Sequence, residues 1–546
     1  MAPDSQSSSD GPPNSKEVYR EAPTQPYHED VESGQQQGLL HKNLQGRHMQ
    51  MIAIGGSIGA GLFVASGGAL QSGGPASLVI CYVIIGVMIL CTVEALGELA
   101  VLYPVNGAFF DYGVRFIEPS WGFAMGWQYA LSWLIIFPFE ITAAGQTIDY
   151  WHHYNIGIWI AVFFAVLFII QLFGVRGYGE VEFVLAVIKI IAVLGFIIFG
   201  IIVDCGGVPS DDRGYIGFRY WDSSKPGGNK AFRNDFKGFC SVFTVAAFAF
   251  AGTEMVGLAA AEAKDPRKSL PKATRQVFWR IAGFYVISLL IVGLIVPNNS
   301  DDLRGSSGAN TKASPFVLAI EYAGVSGLPS VFNAVITIAV ISVANSSIYG
   351  STRTMQALAL RGMGPKWLAY VDKKGRPLWA VAIALAFGML AFVNEAKDGG
   401  DVFTWLLALS SLSNFFVWGS ICLSHMRFRL AWKAAGRSLD DLPFRSDTGF
   451  WGSAIGFTIV CICLVATFYV SLFPIGGDPD AEVFFETYLA APIIIALWAF
   501  WKLWTRQWRL FTPLREIDID TGMREYIGSM PEPPTNAFRR LAKIIF

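Results

Sequence analysis

Two glycine-rich stretches hold the groups best suited to binding chemistry. The first, Ile52 to Gly67, reads IAIGGSIGAGLFVASG; the second, Val242 to Ala260, reads VFTVAAFAFAGTEMVGLAA. Both are apolar enough to enter a bilayer, yet their glycines weaken a helix where every backbone bond is needed. Main chain freed from pairing inside a membrane persists only where protein or a lined cavity satisfies it. Paired breaks of this kind point to a substrate site near the midplane. Around Ser57, Ile58, Gly59, Ala60 and Gly61, free N–H groups and the positive end of a half-helix would form a seat for a carboxylate. Carbonyls of Phe248, Ala249 and Ala251, beside Gly252 and Thr253, would accept hydrogen bonds from an ammonium. Together they match the two ends of an α-amino acid, with Phe248 as an aromatic that closes over the ligand. Close packing of small residues between helices is the competing use of these glycines.

Ionisable residues inside apolar runs are costly and point to function. Lys189 sits in VLAVIKIIAVLGF, where a buried ammonium can exchange a proton or present its charge to the carbonyls of the first broken span. A structural lysine reaching toward an interface is the alternative. Glu140, in IIFPFEITAAG, would face the substrate's variable side chain or shuttle protons. Glu254, next to the second break, would couple protonation to gating. Glu94 and Glu98 stand one turn apart and are read as a structural or inner-gate pair. The clusters Asn345, Ser346, Ser347 and Ser410, Ser411, Ser413, Asn414 are read first as polar glue between helices and second as substrate contacts.

The elements that must hold these groups are membrane helices. The chain has 546 residues, of which 53% are hydrophobic and only 15% charged, and its mean hydropathy is +0.44; this excludes an ordinary soluble enzyme. Net charge is −1, so no nucleic-acid partner is expected. Apolar runs of bilayer length fall near 49–70, 76–100, 121–148, 156–174, 181–203, 239–261, 278–297, 330–357, 378–394, 402–424, 450–473 and 484–504. About twelve transmembrane helices result, with breaks in spans one and six. The expected fold class is an all-α integral membrane protein with a five-plus-five inverted-repeat core and two extra C-terminal helices.

The domain reading follows. Residues 1–40 form a polar, disordered cytosolic tail, and residues 41–504 a transporter domain. Within it, repeat one covers about 44–203, repeat two about 239–424, and the added helices about 450–504. Residues 505–546 form a cytosolic C-terminal tail. Lys and Arg crowd the loops after spans six, eight and ten, whereas 71–75, 149–155 and 475–483 carry none, which places both termini in the cytosol. The basic residues of the 204–238 loop oppose this but are offset by its aspartates.

No nucleotide loop, HExxH pattern or His/Cys ligand cluster occurs, so no metal, cofactor or enzymatic activity is expected. Of seven cysteines, most lie in apolar runs; Cys205 and Cys240 flank a long loop, and whether they pair is left open. His41, His48, His425, His152 and His153 have no obvious partners.

The strings HKNLQGRHMQMIAIGGSIGAGLF, GELAVLYPVNGAF, EAKDPRKSLPKATRQVFWRI, RGMGPKWLAYVDKKGRP, SHMRFRLAWKAAGRSLDDLPF and REIDIDTGMRE run in this order over about 39–525. On them the chain resembles a fungal amino-acid permease of the yeast amino-acid transporter family, within the amino acid–polyamine–organocation superfamily, and is most similar to its general members. The resemblance implies the fold of sodium-coupled amine transporters, a plasma-membrane location and proton-coupled uptake of L-amino acids. It matches Ser57, Ala60 and Gly61 to a carboxylate-binding break and Phe248, Ala249 and Ala251 to the carbonyl segment. It matches Lys189 to the lysine that fills the sodium site of proton-coupled relatives, and Glu254 to a span-six acid. Ala60 stands where some relatives have Ser, so backbone donors must suffice there. Lys16 and Lys42 resemble family ubiquitin acceptors, which would bring ubiquitin-ligase machinery to the tails. The expected function is proton-coupled import of L-amino acids of broad specificity by alternating access. Its rivals are an amino-acid sensor that signals without net transport and a permease of narrow specificity.

Overall fold

The computed structural model describes residues 44–523, except 45, 106, 153–154, 264–265, 304–313 and 396–398. The proposed N-terminal tail, Lys16, Lys42, His41, His153 and the last 23 positions therefore lie outside the described residues. Helices account for every one of the twelve apolar runs. In the first half they are α1 (Gly46–Ser57), α2 (Ser66–Leu102), α3 (Ala108–Tyr112), α4 (Pro119–Ile148), α5 (Ile156–Gln171) and α6 (Gly174–Asp204). Then come α7 (Asp235–Phe250), α8 (Met255–Ala259), α9 (Pro266–Ile295), α10 (Pro315–Tyr322), α11 (Leu328–Leu360) and α12 (Leu378–Gly388). Last are α13 (Gly399–Ala434), α14 (Gly449–Leu472), α15 (Ala481–Tyr488) and α16 (Ala490–Thr505).

Span one is broken between α1 and a π-helical turn at Gly61–Ala65, and span six between α7 and α8. The helices that follow the breaks pack in corresponding pairs: α2 lies along α9, and α4 along α11. The fold is all-helical among the described residues, with these packed pairs standing around the broken spans. Spans one and two differ from expectation at their junction. The turn expected at 71–75 is contracted to one residue: Gly74 (φ 82°, ψ 168°) is non-helical and, with Pro75, separates a helical segment at 66–73 from one at 75–102, the two together written α2. A Cβ at Gly74 would come within 2.5 Å of the Ala231 carbonyl oxygen, so glycine is required there by conformation and space alike. Span twelve bends by 64° between α15 and α16.

Local sequence explains several helix starts. Glu118 accepts from the Ser120 amide ahead of Pro119 at the first turn of α4, and the Asn155 side chain accepts from the Gly157 amide at the start of α5. The outward faces of α5, α6 and α14 expose rows such as Ile158, Val162, Val166, Ile169 and Ile191, Leu194, Ile198, Ile202 and Ile455, Ile462, Val465. Apolar rows of that length suit lipid rather than water. The broken spans are enclosed: Ile54, Ile58, Leu62, Ala249, Phe250 and Val256 are all buried.

A cavity between two broken helices

At the first break α1 ends at Ser57, Ile58 and Gly59 form a bend, and the chain re-enters as a π-helical turn rather than the regular half-helix expected. Such turns recur at functional sites because they leave backbone groups free. At the second, α7 ends at Phe250, Gly252 takes φ 91°, and the chain re-enters a helix at Met255. The breaks touch backbone to backbone. A Cβ at Gly61 would stand 2.6 Å from Ala249 Cα, and one at Gly252 would stand 2.7 Å from the Gly56 carbonyl oxygen. The two competing readings of these glycines therefore both hold: they open the helices and let them meet.

Between the breaks lies a small cavity lined by Gly56, Ser57, Gly59, Gly61, Phe248 and Ala251, with Trp133, Ile136, Glu140 and Val343 from the helices behind. Its volume on the scale of a water molecule is about 10 Å³, room for roughly one water, so an amino acid enters only if the walls move. Phe248 lines it and meets Phe139 edge-on at 5.6 Å.

Several anticipated groups are placed differently from expectation. Glu140 does face the cavity, with Oε1 3.5 Å from where a Cβ on Gly59 would lie, at the first break. Its second oxygen, buried, has no hydrogen-bond partner among the described residues. Of the carbonyls expected to receive an ammonium, that of Phe248 accepts from the Ala251 amide and that of Ala249 from the Tyr285 hydroxyl at 2.8 Å. The same hydroxyl is 2.9 Å from the Ser57 carbonyl oxygen, so one tyrosine from α9 ties both breaks. Ser57 turns its hydroxyl back to the Ala53 carbonyl at 2.5 Å, and Thr253 bonds the Phe250 carbonyl at 2.6 Å instead of lining the cavity.

Lys189 is fully buried and donates to the Gly55 carbonyl at 2.6 Å, at the end of α1. Glu254 is held from three sides: Tyr129 Oη at 3.1 Å, Trp418 Nε1 at 3.2 Å and the Gly252 amide at 3.3 Å. It thus ties the second break to α4 and α13. Glu98 bonds Arg429, the Ser446 amide and His425, and Glu94 accepts from the Asp447 amide, so this pair clamps the loop between α13 and α14. His48 and His425 do have partners, contrary to the sequence reading: Glu180 for His48, and Glu98 with Ser453 for His425. Ser132 joins Ser410 and Ser413 as glue between α4 and α13, whereas Asn345 serves an acid the sequence reading passed over, Glu182, and Ser346 bonds Tyr178. Cys205 and Cys240 are both free thiols.

Many membrane helices with two interrupted spans enclosing a cavity are the architecture expected of a transporter. The amino acid permease family model matches residues 48–514. The general amino-acid permease GAP1 of Saccharomyces cerevisiae is 53% identical over 89% of this chain and 81% of its own length. An uncharacterized amino-acid permease of Schizosaccharomyces pombe is 55% identical over 91% of this chain and 84% of its own. The cationic amino acid transporter 1 of the same yeast is 51% identical over 94% and 87%. A solved manganese transporter of Eremococcus coleocola shares the fold at a TM-score of 0.51 and 15% identity, over 84% of this chain and 93% of that one. The chain belongs to the amino acid permease family; its activity is amino-acid transport and not catalysis.

Proposed function

We propose that this protein imports L-amino acids of broad specificity across the plasma membrane, driven by protons and working by alternating access, with both termini in the cytosol. The observation that carries this reading is the meeting of two opened main chains at a cavity whose single charged lining residue is Glu140. Recognition by backbone asks nothing of the ligand's side chain, which supports breadth. The substrate carboxylate would bind the Ala60 and Gly61 amides, and its ammonium the carbonyl edge at Phe248, Ala249 and Ala251 once Tyr285 releases Ala249.

The proton reading rests on competition for one place. Glu140 stands on the cavity wall at the first break, beside the seat proposed for the substrate carboxylate. An ionised Glu140 both blocks and repels a substrate carboxylate; protonating it removes the blocker and the repulsion together. Lys189, on the Gly55 carbonyl, takes the place a bound cation would hold and carries the exchangeable charge. Glu254 passes the state of span six to α4 and α13 through Tyr129 and Trp418. The test is proton flux accompanying amino-acid uptake in proteoliposomes; uptake indifferent to collapse of the proton gradient would refute the coupling. Competition by each of the twenty amino acids measures breadth. The relatives named as permeases do not favour the sensor reading, which would show as binding without uptake.

A further inference from the structure

Glu182 lies on α6, two turns from Lys189 and fully buried, and no role has been given to it so far. Both groups converge on one residue of the broken span. Lys189 Nζ bonds the Gly55 carbonyl, while the Glu182 carboxylate packs so tightly on Gly55 Cα that a Cβ there would overlap it. Ser342 of α11 lies beside both: its hydroxyl bonds Glu182 Oε1 and lies 3.5 Å from the Gly55 oxygen that Lys189 holds. Asn345 Nδ2 reaches Glu182 Oε2 at 3.2 Å.

From there a polar stripe continues along α11 at helical spacing: Ser342, Asn345 and Ser346, Tyr349, Arg353. It runs toward the end of α11 read as cytosolic. Tyr178 of α6 bonds Ser346 at 3.1 Å and stacks on Tyr349 with centroids 4.8 Å apart. Tyr349 Oη and Arg353 Nε both donate to Glu262 Oε1, at 3.1 and 3.0 Å, leaving buried Glu262 Oε2 without a partner among the described residues. The other charged groups around this line are Glu140 of α4 beside Lys189, and the His48–Glu180 pair between α1 and α6.

We propose that Glu182 is the acceptor that draws the transported proton from Lys189 toward the cytosol, with Glu262 at the far end of the line. This deepens the proton-coupled reading above and rests on it. The step is a transfer: once Lys189 Nζ shifts from the Gly55 oxygen onto the neighbouring Ser342 hydroxyl, the ammonium loses a proton and becomes a neutral amine, the hydroxyl accepts that proton as it releases its own, and the Glu182 carboxylate gains the released one. Net charge of the pair is unchanged, so the transfer needs no counter-ion in the dry interior. Glu182 then discharges past the Tyr178–Tyr349 stack, where the hydrogen-bonded line is interrupted, so parting of that pair sets the moment of release.

The test uses the full chain in proteoliposomes with an equimolar labelled mixture of the twenty L-amino acids. Two readings are taken: accumulation against a gradient driven by pH, and exchange at equal pH, which requires no net proton movement. Glu182→Gln is expected to cut driven accumulation by about tenfold or more while exchange falls by no more than about threefold, with partial recovery in Glu182→Asp. Ser342→Ala, which leaves every charge in place, is expected to slow the proton flux and spare exchange. Driven accumulation at the original level in Glu182→Gln, or equal loss of both readings in a Ser342→Ala protein that melts normally, overturns the proposal. Lys189→Met run alongside separates the failures: retained proton flux in that variant refutes the parent reading and with it any relay from Lys189.

Discussion

Tyr285 holds its hydroxyl 2.9 Å from the Ser57 carbonyl oxygen while lying 2.8 Å from that of Ala249. One proton serves two carbonyls, so the broken ends of spans one and six are fastened to each other through a side chain of a third helix. Replacing it with Phe leaves two buried carbonyls short of a donor, which costs about 1–3 kcal/mol. Tyr285→Phe is expected to lower the melting temperature of the purified protein and raise the KM for uptake, because the gap between the breaks loses its fixed width. An unchanged melting curve and KM would contradict the fastening.

Gly252 carries both a left-handed backbone (φ 91°) and a Cβ position 2.7 Å from the Gly56 carbonyl oxygen. Gly252→Ala therefore meets strain and backbone collision at once. Loss of folded protein on size-exclusion chromatography, or a folded protein with uptake reduced at least about tenfold, is the expected result. Gly283→Ala, where added atoms meet nothing within 4 Å, serves as the tolerant control.

Lys189→Met keeps the length of the side chain and removes the charge that sits on the Gly55 carbonyl. Uptake by this variant is expected to become independent of external pH. The measurement is initial uptake between pH 4.5 and 7.5, and wild-type pH behaviour would remove Lys189 from the coupling.

Asp211, in the loop after α6, receives three bonds from Arg213, which hold its carboxyl below the usual carboxylate range. A group whose folded value is depressed stabilises at pH above its unfolded value and loses that contribution only as pH falls through the folded one. The loop, anchored further by Arg213 on the Ile295 carbonyl, thus stays fastened at pH 5, where a proton gradient is strong. Asp211→Asn is expected to lower thermal stability equally at pH 5 and pH 7; a deficit at pH 7 that vanishes at pH 5 would mean a carboxyl held above the usual range rather than below it.

Cys205 is an exposed thiol in the same loop, whereas Cys81, Cys91, Cys240, Cys422 and Cys463 are buried. A membrane-impermeant maleimide added to intact cells is expected to label Cys205 and to lose its signal in Cys205→Ser. Labelling that requires permeabilised cells would invert the orientation given by the loop charges.

The main lines were legible because membrane helices announce themselves: apolar runs of bilayer length, glycines where a helix should not have them, and a lone lysine in VLAVIKIIAVLGF. What escaped did so for physical reasons. Tyr285 looks like any aromatic in an apolar helix until its hydroxyl partners are known. Glu182 stands at the edge of an apolar run, where a carboxylate ordinarily marks a boundary; only the stripe Ser342, Asn345, Ser346, Tyr349, Arg353 at helical spacing hinted at a buried partner opposite. Trp133, Ile136 and Val343 line the cavity with side chains of no special chemistry, so periodicity cannot tell them from packing. Glu140 is singled out by its apolar surroundings, but its place on the cavity wall beside Gly59 depends on three-dimensional approach of α4 to the first break.

Because Gly74 alone (φ 82°, ψ 168°) interrupts the helix between 66–73 and 75–102, the outer half of span one and all of span two are two arms joined at a single residue. A few degrees of swing at the ligand end would be carried to the opposite rim, more than thirty residues away in sequence, with Gly74 as the elbow that decides how much arrives. Stiffening that elbow would strike at how the two rims keep time with each other, while leaving the chamber between the breaks untouched.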